Sequence, residues 1–262
     1  MNYLRTPDVY FKAAVIALLS GRLWQYLFWD TPYHAWSPAV AWLLGGWMLM
    51  ALLATLLDLR RWCLLLLGGA TAILAGQFVW AWALRDFPWP YLVEHGLAIF
   101  TPLILVLWVE KKDPQLWLAR IATALTFLGH GCYALGWPFP TPPHFLHMTQ
   151  HLTGLEVEGA LVLLQVVGLI DLIIVGVLLL NLPFKGWLLY AAFWGLATAF
   201  ARPITYVTPE TFGGDLHRWA MEMVFRLPHG LVPLGMWWAS LKREGRVAVE
   251  GKSARSPAAG GE

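Results

Sequence analysis

Apolar blocks of about twenty residues, joined by short polar connections, run through this sequence from near its start to residue 241. That length matches the hydrocarbon core of a bilayer, and the blocks lack the narrow stripe of a soluble amphipathic helix. Eight segments are predicted: 10–29, 36–57, 62–84, 90–109, 116–137, 157–181, 186–206 and 227–241. The fold class that follows is all-α, a polytopic membrane bundle of about eight transmembrane helices.

Lys and Arg orient the segments. Arg5 and Lys12 precede the first span, Arg60 and Arg61 separate spans two and three, and Lys111 and Lys112 separate four and five. Lys185 lies between six and seven, and Lys242, Arg243 and Arg246 follow the eighth. The alternate connections 30–35 and 138–156 carry neither residue, and 85–89 has only Arg85. This asymmetry implies both termini in the cytoplasm and a place in a bacterial inner membrane. The first apolar run meets Arg22 without a small-residue cleavage site, so it reads as a retained span. Trp and Tyr at span ends, among them Trp24, Trp29, Trp36, Trp62, Trp89 and Trp137, form the interfacial belt.

Composition agrees. Of 262 residues 58% are hydrophobic and 13% charged, about half the charge of a soluble domain. The net charge of +2 is arranged for topology, and no basic patch of the kind nucleic acid requires is present. Cys63 and Cys132 are predicted on opposite faces, where a disulfide cannot form.

Topology makes the eight histidines one-sided. His34, His95, His130, His144, His147, His151, His217 and His229 all fall toward the outer face. Two outer signatures recur: T-P-Y-H at 31–34 after span one, and T-P-P-H at 141–144 after span five. Span four contains E-H-G-L with Pro102, and span eight P-H-G-L with Pro233. These matches suit a 4+4 internal repeat of parallel halves, 1–113 and 114–242, followed by a disordered cytoplasmic tail, 243–262. His95 and His229 then occupy equivalent helices at similar depth.

Ionisable groups inside spans are costly unless paired, and are functional candidates by default. The polar network is Arg22, Glu94, Asp171, Arg202, Glu222 and Arg226, with His95, His130 and His229. Arg218, Glu222 and Arg226 follow i, i+4 spacing, and Pro228 is expected to separate an interfacial helix from the last span. A salt-bridge network that glues the bundle explains the arginines equally well. Asp171 has no local cation and suits either a proton relay or an interhelical hydrogen bond.

Thr141 is expected to cap a helix opening on Pro142. On it His144, His147 and His151 share a face at i, i+3 and i+7, which suits a surface helix or, with His34, His217 or Glu94 added, a divalent metal ion. Thr153 and Glu156 have capping-box spacing at the start of span six. Haem would take axial ligands from His95, His130 and His229, with Arg22, Arg202 or Arg226 on its propionates. The H-x-x-H-H boxes that membrane desaturases share are absent, as are G-x-S-x-G, the phosphate-binding loop and the dinucleotide fingerprint.

The first span, S-G-R-L-W-Q-Y-L-F-W, carries an arginine at the start of an apolar run. With the four-span unit it resembles the DoxX-like bacterial membrane proteins, which implies association with thiol or quinone redox systems and assigns no catalytic residue. The chain departs from the single four-span unit of that group. The expected function is a periplasm-facing, histidine-rich polar site, redox-associated and binding haem or a metal ion. A redox or membrane-complex partner would accompany it. Two alternatives stand: a proton-coupled small-molecule transporter using Asp171 and the intramembrane histidines, and a non-catalytic assembly subunit.

Overall fold

The structure, a computed structural model, describes residues 7–28, 37–113, 116–182, 185–209 and 212–253. These residues form helices and connecting turns, with no strand among them. In chain order the helices are α1 (Pro7–Phe28), α2 (Pro38–Leu56), α3 (Arg60–Ala83), α4 (Trp89–Val93), α5 (Gly96–Val109) and α6 (Trp117–Leu135). They continue as α7 (Pro143–Thr153), α8 (Val157–Leu179), α9 (Gly186–Tyr206), α10 (Phe212–Arg226) and α11 (Pro228–Ser253). Each of the eight expected segments coincides with a helix, the fourth with the broken pair α4–α5.

Four stretches are long and apolar enough to cross a membrane: Pro38–Leu56, Arg61–Ala83, Trp89–Val109 and Val157–Leu179. Their outward faces expose large apolar side chains, such as Trp42, Leu43 and Leu53 on α2, Leu65 on α3, and Val162, Val166 and Leu169 on α8. In a folded chain such faces suit lipid rather than water. The helices that are less apolar, α1, α6, α9 and α11, carry Arg22, His130, Arg202 and His229. They hold the polar interior of the bundle.

Two rings of helices can be traced. α1 packs on α2, α2 on α3, α3 on α5, and α5 back on α1. α6 packs on α8, α9 on α11, and α11 back on α6, but α8 and α9 barely touch. The rings join where α1 meets α10 and α11, and where α6 meets α4 and α5. Phe11, Leu18, Leu19, Met48, Leu67, Leu74, Leu97 and Val232 fill the core.

Proline and glycine set the geometry near the polar groups. Pro233 has no N–H to return to the carbonyl of His229, one turn earlier in α11. α9 closes on that freed carbonyl: a Cβ built on Gly195 would stand 2.2 Å from His229 O, and one on Gly230 would stand 2.6 Å from Ala192 O. The α4–α5 break is held likewise, since a Cβ on Gly129 of α6 would meet the backbone N of Glu94 at 2.6 Å.

Three expectations shift at helix ends. α7 begins at Pro143 with Pro142 as its N-cap, so Thr141 makes no capping bond. Gly154, at φ +70°, ends α7 and donates to Gln150 O; only glycine takes that conformation without cost. Thr153 therefore lies inside α7, where its hydroxyl donates to Thr149 O at 2.6 Å, and Glu156 rather than Thr153 is the N-cap of α8. α11 continues to Ser253, past residue 242, where a disordered tail was expected to start; no proline follows Pro233 until Pro257. Residues 254–262 lie outside the described ones, as do His34, Trp29, Trp36 and the T-P-Y-H signature at 31–34.

Candidate functional site

The ends of α1 and α3, the α4–α5 break, α7, α9 and α10 enclose a polar chamber of about 560 Å³. It lies at the end of the bundle opposite Lys12, Lys111, Lys112 and Lys185. Each element delivers side chains for a local reason. On α1, Arg22 and Gln25 are one turn apart, and Arg22 Nη1 donates to Gln25 Oε1 at 2.6 Å. Arg22 Nε donates to Gln77 Oε1 of α3 at 3.2 Å. The guanidinium also lies 5.2 Å from the ring centres of both Phe78 and Phe225, within cation–π range of each. Gln25 Nε2 passes the chain to Glu222 Oε2 at 3.1 Å.

Glu222 is the counter-charge at the centre of the network. Arg226, one turn on in α10, donates from Nε to its Oε1 at 2.8 Å, and Arg202 Nε of α9 lies 3.9 Å from the same oxygen. Arg202 Nη1 is further held by Thr198 O at 3.1 Å. Arg85 lies 4.4 Å over the ring of Tyr91 at the chamber wall. Arg218, expected in the same charged series, lies 5.2 Å over the ring of Trp219.

The histidines separate into groups. His95 lines the chamber and stacks on Phe78 at 4.0 Å, while its Nδ1 lies 2.6 Å from Tyr91 O. His229 repeats this arrangement, with Nδ1 2.7 Å from Arg226 O. A carbonyl can only accept, so in both rings Nδ1 carries a hydrogen, and in the neutral form of each ring Nε2 is the nitrogen with the free lone pair. His130 and His229 come together with ring centres 5.7 Å apart, and the Nε2 atoms of both are buried without a hydrogen-bond partner. Glu94 reaches toward this group, 3.7 Å from His95 Nδ1 and 3.9 Å from His130 Nε2.

The three histidines of α7 do not act as a unit. All three are exposed, and His144 alone of them also joins the chamber wall; His147 lies beside Tyr206 with ring centres 5.5 Å apart. His217 accepts from Trp24 Nε1 at 3.3 Å, away from them. His34, one of the outside ligands the α7 set would need, lies outside the described residues; among the described ones no group of three or more His, Cys, Asp or Glu side chains is arranged to hold a metal ion. The physical reason is helix geometry: seven residues of rise separate His144 from His151 by about 10 Å. Both cysteines are free, as expected.

His144, on a helix outside the apolar spans, is exposed overall, yet its ring edge faces the chamber. Desolvation, then the positive field of Arg202, Arg226 and Arg85, lowers its pKa from 6.5 to about 4. An NMR titration of the labelled ring should therefore give a midpoint near 4. In Arg202→Gln it should move upward, because one source of positive field is gone. A midpoint near 6.5 in the wild type would contradict this placement of the ring.

Asp171 stands apart in a second cavity, of about 300 Å³, between α6, α7, α8 and α9. It is 2% exposed, and its Oδ1 has no hydrogen-bond partner among the described residues. The partnership with Arg22 or Arg202 that sequence allowed is not formed. Sequence reasoning missed Gln25, Arg85, Tyr206 and Trp219 as chamber residues, and Gln77 as the residue that accepts from Arg22. Gln77 had a signal, a lone amide in an apolar span; Arg85 had none, since a loop charge looks the same whether or not it faces a cavity.

Chemically the chamber offers four guanidinium groups, from Arg22, Arg85, Arg202 and Arg226, against the carboxyl groups of Glu94 and Glu222. Positive charge is in surplus even with both carboxyls ionised. Comparison of the chain with protein-family models, with curated proteins and with solved structures gave no match in any of the three.

Proposed function

We propose that this chain is an eight-span bacterial inner-membrane protein, built as two four-span halves, whose outer-facing chamber binds an anion. The distribution of Lys and Arg supports the orientation, and the two rings of helices support the halves. So does the geometry of the repeated histidine motifs. His95 and His229 each bond a carbonyl about one turn back, at 2.6 and 2.7 Å, at the head of a helix that carries a proline. Gly21 of α1 packs on the backbone of Phe225 in α10, and Gly129 of α6 on the backbone of Glu94 after α4. Each half thus leans its first span on the entry to the other half's last, as a two-fold axis along the membrane normal requires. The DoxX-like resemblance is compatible with such halves and keeps its basis in the first span.

The observation that carries the function is the surplus of guanidinium groups around one cavity. Arg presents a rigid fork that matches carboxylate and phosphate oxygens in pairs, and enclosure strengthens each contact. The neutral Nε2 atoms of His95 and His229 add acceptors for a proton that arrives with the anion. In detergent-purified protein, inorganic phosphate should raise the unfolding temperature saturably at constant ionic strength. Arg202→Gln should weaken that response by about tenfold or more in apparent Kd, the loss of one charge-assisted pair. If phosphate, sulfate and acetate all act no differently from chloride, the anion reading fails.

A second reading, the haem or metal site, rests on the neighbouring rings of His130 and His229, whose centres are 5.7 Å apart and whose Nε2 atoms have no hydrogen-bond partner among the described residues. It predicts an absorption band or a stoichiometric metal that disappears in His229→Ala. A colourless, metal-free preparation that still binds anions excludes it.

A further inference from the structure

Beside the polar chamber lies the cavity that the anion reading leaves unused, and its lining is of another kind. Met148 and Leu152 of α7, Leu164 and Val167 of α8, and Trp194 and Ala197 of α9 form its walls. The two cavities adjoin: Phe145 and Arg202 belong to the walls of both. A ligand with its charged end among the arginines would therefore have an apolar cavity beside that end.

The cavity also faces the bilayer. α2 and α3 of the first ring pack together, whereas α8 and α9, their counterparts in the second, barely touch. The seam between α8 and α9 opens the wall of the cavity sideways. Val162, Leu163 and Val166, next to the seam on α8, are exposed in the way lipid-facing residues are. From above, α7 closes the cavity with Met148 and Leu152 inward and His147 exposed. A water-soluble anion has no use for such a side door.

One polar group in these walls points to a ligand rather than to packing. Asp171 is 2% exposed, and its Oδ1 has no hydrogen-bond partner among the described residues. Buried polar atoms are normally hydrogen-bonded, and a polar group near the head of a bound ligand would supply the missing partner.

We propose that the ligand is an anionic amphiphile, a phosphate monoester on a single apolar chain, entering from the outer leaflet between α8 and α9. This rests on the anion reading of the chamber. The head fits because a phosphate monoester carries close to two negative charges at neutral pH, and the chamber holds four arginines against two carboxyl groups. The chain fits because about 300 Å³ accommodates on the order of ten methylene-sized groups, each near the volume of a water molecule. Arg202, shared by both cavities, marks the junction of head and chain.

The test compares inorganic phosphate with decyl phosphate, kept below its micellar concentration, on the full-length purified protein. Decyl phosphate should bind tighter by on the order of a hundredfold, which leaves room for competition by detergent. Ala197→Trp, which fills the apolar cavity, should abolish that gain and leave inorganic phosphate binding unchanged. A decyl phosphate analogue with a photoreactive group at the chain end should label peptides containing Met148, Leu164 or Ala197 in the wild type, with no dependence on how the variant folds. Equal affinity for the two phosphates overturns the proposal and leaves the anion reading standing, as does labelling confined to other helices. If neither phosphate binds, the anion reading itself has failed.

Discussion

Glu222→Ala should be the most damaging single change to a charged residue, costing about 3–5 kcal/mol of stability. Glu222 neutralises Arg226 at 2.8 Å and faces Arg202 at 3.9 Å, and it accepts from Gln25 at 3.1 Å. Its side chain is only 18% exposed, so water cannot replace it. Alanine would leave two guanidinium groups enclosed without a counter-charge, and the penalty for an uncompensated buried charge exceeds what the pair contributes when intact. Thermal unfolding in detergent reads the loss. The same change raises the positive surplus of the chamber, so phosphate should restore more stability to the variant than it adds to the wild type. A variant that unfolds at the wild-type temperature would show that Glu222 is not the centre of the network. Glu222→Gln should fall between the two, since it keeps the acceptor and loses the charge.

Gly195→Ala should be nearly as harmful, though it adds only one carbon. The new Cβ would stand 2.2 Å from His229 O and 2.8 Å from Gly230 N, both backbone atoms of α11. Backbone cannot swing aside as a side chain can, so α9 and α11 must separate. Overpacking a close helix crossing costs about 1–3 kcal/mol, and more where backbone has to move. Because Gly195 sits against His229, the shift also disturbs the His130–His229 pair. Gly176→Ala in α8 is the control: nothing lies within 4 Å of its built Cβ. There the exchange should be neutral or stabilising by about 0.5–1 kcal/mol, from the helix propensity of alanine over glycine. Equal behaviour of the two variants would refute the close α9–α11 crossing.

Sequence stops being informative at such crossings and charge clusters. Gly195 and Gly176 look alike in the chain, each a glycine in an apolar helix. Only the neighbour across the helix distinguishes them. The same holds for charge: the i, i+4 spacing of Glu222 and Arg226 was readable, and the pair forms at 2.8 Å. Their junction with Arg202, Gln25 and Arg22 was not readable, because these residues lie on three helices far apart in sequence. The α7 histidines show the same limit. Their periodicity indicated the exposed face that His144, His147 and His151 share, but not that His144 also lines the chamber.

By itself the sequence determined that the chain is helical, where its apolar helices run, and that α10 and α11 part at Pro228. It did so because these properties are set locally, by the length of an apolar block, by the missing N–H of proline, and by the cost of placing charge in hydrocarbon. Tertiary structure decided the rest: that Arg22, Arg85, Arg202 and Arg226 share one chamber, that His130 meets His229, and that Asp171 faces a separate apolar cavity. Those outcomes depend on helix rotation and on close crossings at glycine, quantities fixed only when whole helices pack against one another.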